Sequence, residues 1–368
     1  MKHCEKCGYA NEDSARFCGK CGSSLGTLET AGNQTDKVWV NRLGNYVGSD
    51  NPVDLNWRVL FSDVLQKHSR EEAEEIFICG TRSTTPDPQN VSKNWPHPWL
   101  YSRVFLAFAI AFVLLYVCIV SFGNLMALPG LMTVGAFTVP LAALVLFLEM
   151  NAYRNVSLYD VAQTFLVGGC ASLLITLMLY TIFDVEQLDY LGAFTVGFVE
   201  EVGKAVIVYY FIKKIGKTNI LAGLLIGAAV GAGFAAFETA GYVMFSGVES
   251  WDSMMGTIFI RGFLAPGGHV AWAAISGAAL TIAAKQTGEM DWGLLVNGKF
   301  LRLFIIPVVL HGLWDSPLTS IGIEIYLVPI LLTILVWIVV LILINMGLAE
   351  IPASEDNTEN EQNNTGNN

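Results

Sequence analysis

The chain has 368 residues, 53% hydrophobic and only 14% charged, with a formal net charge of -11. Soluble globular chains carry about a quarter charged residues, so this deficit points to a membrane protein. The acidic balance excludes the basic surfaces that nucleic-acid binding requires, and no nucleic-acid partner is expected.

The charge is unevenly spread. Val104 to Gly347 is mostly apolar, whereas the first hundred residues and the last twenty are polar. A polar head, a membrane body and a solvated tail follow from that division. In the head, Cys4-x-x-Cys7 and Cys18-x-x-Cys21 form two knuckles, each followed by a glycine (Gly8, Gly22) that permits a tight turn. Four thiolates at this spacing suit a tetrahedral, structural Zn²⁺ in a zinc ribbon over residues 1–26. So short a unit needs the metal in order to fold, which makes it a docking or regulatory module for a cytosolic protein partner. A linker occupies 27–37, and a small cytosolic segment with a Pro-rich lead-in occupies 38–98. Within that segment Ser69-Arg-Glu-Glu72 has the pattern of a capping box opening a short helix. Trp95, Trp99 and Tyr101 stand where an interfacial aromatic belt is expected. No apolar stretch follows a basic one near Met1, so the first span is expected to act as an uncleaved insertion signal.

A spanning helix needs about 20 mainly apolar residues. On that measure the body, residues 99–348, is an all-α polytopic membrane domain of about eight spans. They are expected at 104–122, 125–148, 161–183, 190–212, 220–245, 263–284, 301–320 and 325–347. Loops on one side hold Arg103, Arg154, Lys213, Lys214, Lys217, Lys285, Lys299 and Arg302. Loops on the other hold Asp184, Glu186, Asp189, Glu249, Asp252 and Glu324, with Arg261 as the lone cation. The positive-inside rule then puts both termini in the cytosol of a bacterial-type plasma membrane. Residues 349–368 read as a disordered acidic tail. Gly223, Gly227 and Gly231, four apart, give the fifth span a surface for close helix approach.

Ionisable residues inside a bilayer are costly and mark functional sites. The fourth span contains Glu200, Glu201 and Lys204, the fifth Glu238, the sixth His269, and the seventh His311 and Asp315. At 1.5 Å per residue, Glu200 and Glu201 lie about 15 Å below the outer boundary. Glu238, His269 and His311 fall at about 10, 9 and 14 Å on the same rise. Antiparallel helices thus carry their polar groups to one layer in the outer half. Glu200 and Lys204 are i,i+4 neighbours, as are His311 and Asp315. Pro266-Gly267-Gly268 is expected to break the helix before His269 and free backbone N–H groups there.

Carboxylates and imidazoles in a walled site can activate water, with Glu as general base and His or N–H groups as oxyanion donors. The same residues can hold a catalytic Zn²⁺ with one open position. HExxH does not occur, and there is no Gly-x-Ser-x-Gly nucleophile elbow: the match to that spacing, Gly22-Ser23-Ser24-Leu25-Gly26, lies in the cysteine-rich head. Buried acids and histidines also build ion relays, so a proton- or cation-coupled transporter stands as one alternative. A non-catalytic sensor or scaffold with a zinc-ribbon head stands as another.

Glu200-Glu201-x-x-Lys204, Phe234-x-x-x-Glu238, His269 after its Pro-Gly-Gly break and His311-x-x-x-Asp315 together resemble the motifs of the PrsW family of intramembrane proteases. That family is related to the CAAX prenyl endopeptidases and bacterial Abi proteins, which carry FxxxH where this chain has FxxxE. The resemblance implies site-1-like cleavage of membrane-anchored protein substrates, such as anti-sigma factors, near the outer face. It implies Glu200 or Glu201 as general base, oriented by Lys204, with His269 and His311 as oxyanion donors or metal ligands. Asp315 would fix the tautomer of His311, and Glu238 would be a second carboxylate or a ligand. Families of this type work as metallo- or as glutamate proteases, and both mechanisms stay open at this point.

Overall fold

The computed structural model describes residues 2–3, 10–11, 34–49, 52–319 and 324–352. The chain divides into two compact units, Met1–Val53 and Asp54–Asn368. In the first unit, strands β1 (Lys2–His3) and β2 (Ala10–Asn11) pair antiparallel, with Lys2 opposite Asn11. Helix α1 covers Gln34–Val47. The expected zinc ligands Cys4, Cys7, Cys18 and Cys21 lie outside the described residues.

The second unit begins with two short helices, α2 (Val59–Ser62) and α3 (Arg70–Ile78). α3 opens with the expected capping box: the Ser69 side chain accepts from the Glu72 N–H, and the Glu72 carboxylate accepts from the Ser69 N–H. The lead-in ends at α4 (Leu100–Val120), which has no cap of its own. The cap comes from α5 (Leu128–Met150), whose Glu149 accepts the N–H groups of Trp99, Leu100 and Tyr101 at 2.8–2.9 Å. These are the orphan donors that every helix start must satisfy. The third span joins α6 (Leu158–Gln163) to α7 (Gly169–Tyr180) through a π-helical turn.

Helix α8 (Tyr190–Ile215) starts on an Asp189 cap and stops at Gly216, whose φ of 73° suits the left-handed residue of a helix end. α9 (Ile220–Glu249) is the central element, with 94% of its most apolar window buried. α10 (Trp251–Leu264) doubles back along it and ends in a 3₁₀ turn at Ala265–Gly267. α11 (His269–Thr287), α12 (Gly298–Asp315) and α13 (Glu324–Ala349) complete the bundle.

The glycine stripe on α9 faces α11. A Cβ on Gly227 would stand 2.1 Å from the Ala273 carbonyl, and one on Gly231 would stand 2.2 Å from that of His269. Only hydrogen fits at these contacts, and the close approach sets the height of His269 against α9.

Among the described residues, six stretches are long and apolar enough to cross a bilayer: Leu100–Val120, Leu125–Met150, Leu158–Tyr180, Ile220–Glu249, Trp251–Thr287 and Tyr326–Ala349. The count of eight is therefore not confirmed. The two remaining expected spans are α8 and α12, both helical but too charged to count. α8 carries Glu200, Glu201 and Lys204 at its centre, and α12 carries Lys299, Arg302 and Asp315. The expected outer loop before 263 is also different. Residues 251–264 form α10, and the helix of the sixth span starts only at His269, after the Pro-Gly-Gly break.

Candidate active site

The seven ionisable residues read from the sequence converge on one cluster between α8, α9, α11 and α12. Lys204 is its hub. Its ammonium is fully buried and donates to Glu201 Oε1 at 2.9 Å, Glu200 Oε2 at 3.4 Å and His269 Nδ1 at 2.7 Å. Three donors meet three acceptors, which is what a buried ammonium needs to offset its desolvation. The Phe234 ring lies 4.1 Å from the same nitrogen, so the Phe of the Phe-x-x-x-Glu motif is a cation–π partner.

Each histidine is backed by a carboxylate. His269 meets Glu238 Oε2 through Nε2 at 3.0 Å. Because Lys204 can only donate, Nδ1 of His269 is the acceptor and the proton sits on Nε2. His311 meets Glu201 Oε1 through Nδ1 at 3.0 Å, and Asp315 Oδ2 through Nε2 at 3.2 Å. The Trp272 ring stacks on His311 at 4.3 Å and closes that side of the site.

The remaining faces of the cluster converge. Glu200 Oε2 lies 3.7 Å from His311 Nε2 and 3.9 Å from His269 Nδ1. One donor atom from each of Glu200, His269 and His311 falls within 4.8 Å of the other two. Two imidazoles and one carboxylate make the donor set of a catalytic zinc with an open position. Tetrahedral ligands about 2.1 Å from zinc stand about 3.4 Å apart, so closing a set that spans up to 4.8 Å requires the side chains to draw together. The carboxylates behind both rings, Glu238 and Glu201, also match the outer-shell pattern that orients metal-binding histidines. The residues therefore fit the metal. Two features oppose it: the Nδ1 lone pair of His269 is engaged by Lys204, and both nitrogens of His311 face carboxylates.

Three participants escaped the sequence reading. The Tyr180 hydroxyl donates to Glu200 Oε1 at 3.1 Å. Arg261 on α10 pairs with Glu238 and donates from Nε to Thr239 Oγ1 at 3.0 Å. Trp272 walls the histidines. Only Arg261 had a visible signal, as the single cation among acidic outer loops. With it, two cations rather than one face the four carboxylates.

The exposed edge of the cluster is formed by Asp315 and Arg261, with side chains 28% and 29% accessible. Glu201 and Lys204 are closed off completely. The arrangement combines two oriented imidazoles, that of His311 buried and that of His269 partly so, a carboxylate held by Tyr180 and Lys204, and one open side, as water activation requires.

Comparison with known proteins agrees. The model of the PrsW family intramembrane metalloprotease matches residues 157–344, just over half of the chain and including every residue of the cluster. A zinc-ribbon domain matches residues 3–25. Searches of curated proteins and of solved structures returned no match. On the extent of the family match, the chain belongs to the PrsW family: it is an integral membrane protein, an intramembrane peptidase with a zinc-ribbon domain at its N-terminus.

Proposed function

We propose that the cluster on α8, α9, α11 and α12 is the proteolytic site and that it hydrolyses peptide bonds of membrane-anchored proteins in the outer half of the bilayer. The observation that carries this reading is the paired backing of the two histidines. Glu238 and Glu201 hold one nitrogen of each ring, while the other nitrogen turns toward Glu200. Such pre-oriented groups are what hydrolysis needs at its reacting centre. The Lys and Arg asymmetry supports cytosolic termini and an outward-facing site, which suits site-1-like cleavage of substrates such as anti-sigma factors.

Glu200, His269 and His311 would hold a catalytic zinc, which when bound polarises the scissile carbonyl and lowers the pKa of water. The protein's own residues do the rest. Glu201 keeps Nδ1 of His311 engaged and Glu238 keeps the proton of His269 on Nε2. Lys204 neutralises the Glu200–Glu201 pair in the dry interior. Asp315 lies beside His311 at the open edge, and Trp272 excludes water from the far side.

A second reading, glutamate catalysis, is favoured by Lys204. Its ammonium already supplies a cation to the same donors, and Glu200 would then accept the proton of the attacking water. The family is one of peptidases, so neither the transporter nor the scaffold alternative gains support.

The test is cleavage of a membrane-anchored substrate by the double variant Glu200→Gln, Glu201→Gln. Loss of cleavage in a correctly inserted protein is expected; retention ends the proposal. Zinc content of the full chain separates the two mechanisms. Two zinc ions per chain support the metal site, and one, held by the ribbon, supports glutamate catalysis.

A further inference from the structure

We propose that Arg261 is a positioning residue of the peptidase site, acting through Glu238 to fix the orientation of His269. The inference rests on the reading of the cluster as the proteolytic site.

Arg261 lies on α10, the helix that occupies what composition suggests is a loop. Three residues of α9 receive its guanidinium. Glu238 forms the ion pair, Thr239 Oγ1 accepts the Nε–H at 3.0 Å, and the Tyr242 ring lies 4.3 Å from the guanidinium carbon. An anion, a hydroxyl and an aromatic face together set both the position and the plane of the guanidinium.

The pairing matters because of the oxygen it uses. Arg261 binds Oε2 of Glu238, the same oxygen that receives Nε2–H of His269. Glu238 has no other charged partner on its own helix, so its carboxylate is aimed by Arg261 from one side and by His269 from the other. Without the guanidinium, the carboxylate loses the contact that holds Oε2 on the histidine. The ring then loses the partner that keeps its Nδ1 turned toward Glu200 and Lys204. Arg261 also stands eight residues before His269 in a chain that passes directly from α10 through the Ala265–Gly267 turn into α11. The same ion pair therefore anchors the entry of the backbone into the site.

A purely structural role, fastening α10 to α9, predicts a different outcome from a positioning role. The Arg261 side chain is 29% accessible, and a small cation from solution can replace its guanidinium. In full-length protein reconstituted with a membrane-anchored substrate, Arg261→Ala is expected to lower kcat about 10- to 100-fold, the range for groups that orient reacting ligands, with KM within about twofold. Millimolar methylguanidinium is expected to restore at least about a tenth of the lost rate. It should restore nothing in the double variant Arg261→Ala, Glu238→Gln. A wild-type kcat, or a loss that methylguanidinium leaves untouched while the melting temperature falls, overturns the inference.

Should Arg261→Ala not fold, Arg261→Lys carries the test, because a lysine cannot reach Glu238 and Thr239 in one plane. Reduced kcat at unchanged KM is then expected, and a wild-type kcat overturns the proposal. Retained cleavage by Glu200→Gln, Glu201→Gln removes the site reading and this inference together. Loss in that variant beside full activity of the Arg261 variants removes the inference alone.

Discussion

Glu201 on α8 and His311 on α12 meet across 110 residues of sequence, Oε1 to Nδ1 at 3.0 Å, with no more than 2% of either side chain exposed. The same oxygen receives the Lys204 ammonium, so one carboxylate ties two helices to the hub of the site. Removing one partner from a buried charged network leaves the others uncompensated, at a cost of about 3–5 kcal/mol. Glu201→Ala should therefore lower stability by that order and abolish cleavage. Glu201→Gln, which keeps the shape and an acceptor oxygen, should fold better yet remain impaired. Unfolding in mixed micelles measures the first effect and substrate cleavage the second.

Lys204 and a metal ion draw on the same atoms, Nδ1 of His269 and Oε2 of Glu200. Replacing the lysine by methionine removes the competing cation and leaves four carboxylates facing Arg261 alone. In a full-length background with Cys4, Cys7, Cys18 and Cys21 changed to serine, Lys204→Met should bind zinc at least about tenfold more tightly than the same chain with Lys204. Its melting temperature should rise on adding zinc, through ordinary binding linkage. Equal zinc affinity in the two proteins would show that the ammonium does not occupy the metal's donors. The serine background should itself lose one zinc per chain relative to wild type, as expected if the ribbon holds a structural ion.

Gly231 gives a geometric test of how the site is assembled. Its Cα faces the carbonyl of His269, and an added Cβ would come within 2.2 Å of that oxygen. Backbone cannot yield as a side-chain tip does, so Gly231→Ala must push α11 away from α9 at the residue that carries the imidazole. Overpacking of this kind costs about 1–3 kcal/mol. Cleavage should fall further than stability accounts for, since His269 is displaced from Glu238. Gly241→Ala, on the same helix with nothing within 4 Å of the new atom, is the matched control and should be silent.

The cluster was legible in the sequence because a bilayer leaves few places for charge. Glu200, Glu201, Glu238, His269 and His311 stand out against apolar surroundings, and depth counted at 1.5 Å per residue brought them to one layer before any contact was known. The glycine stripe was readable for a similar reason, as a periodicity that only close helix packing explains. Arg261 showed only as a lone cation and not as a site residue, because Trp251–Leu264 mixes Asp252, Ser253, Gly256 and Gly262 with apolar residues and has the composition of an outer loop. Its 14 residues are too few to span, so nothing in the count required a helix there. Tyr180 sits at the end of its span, where a tyrosine ordinarily marks the interface. The charged helices α8 and α12 mark the opposite limit: the property that revealed the site is the one that removes them from a tally of apolar spans.

His68 offers a pH test outside the membrane body. Nδ1 lies 2.9 Å from the Glu72 carboxylate and Nε2 2.9 Å from the Asp63 carbonyl, both of which accept only, so both nitrogens carry protons. The ring stacks on Trp99 at 3.9 Å, directly before α4. Desolvation by burial works against the charged ring but is outweighed by the Asp63 and Glu72 hydrogen bonds and by the charges of both residues, which raise its pKa above the ordinary value. A pKa raised on folding contributes stability that is complete below the unfolded value of about 6.5 and fades as pH climbs through the folded value. The stacked contact should therefore be firm below the unfolded value and loosen as pH rises through the raised folded one. Trp99 emission, read in a variant with the other tryptophans replaced by phenylalanine, should titrate over that window. His68→Gln should remove the titration, since a glutamine amide keeps one hydrogen bond and carries no charge. A Trp99 signal unchanged from pH 5.5 to 8.5 would show that the imidazolium is not what holds the segment of α3 to the start of α4.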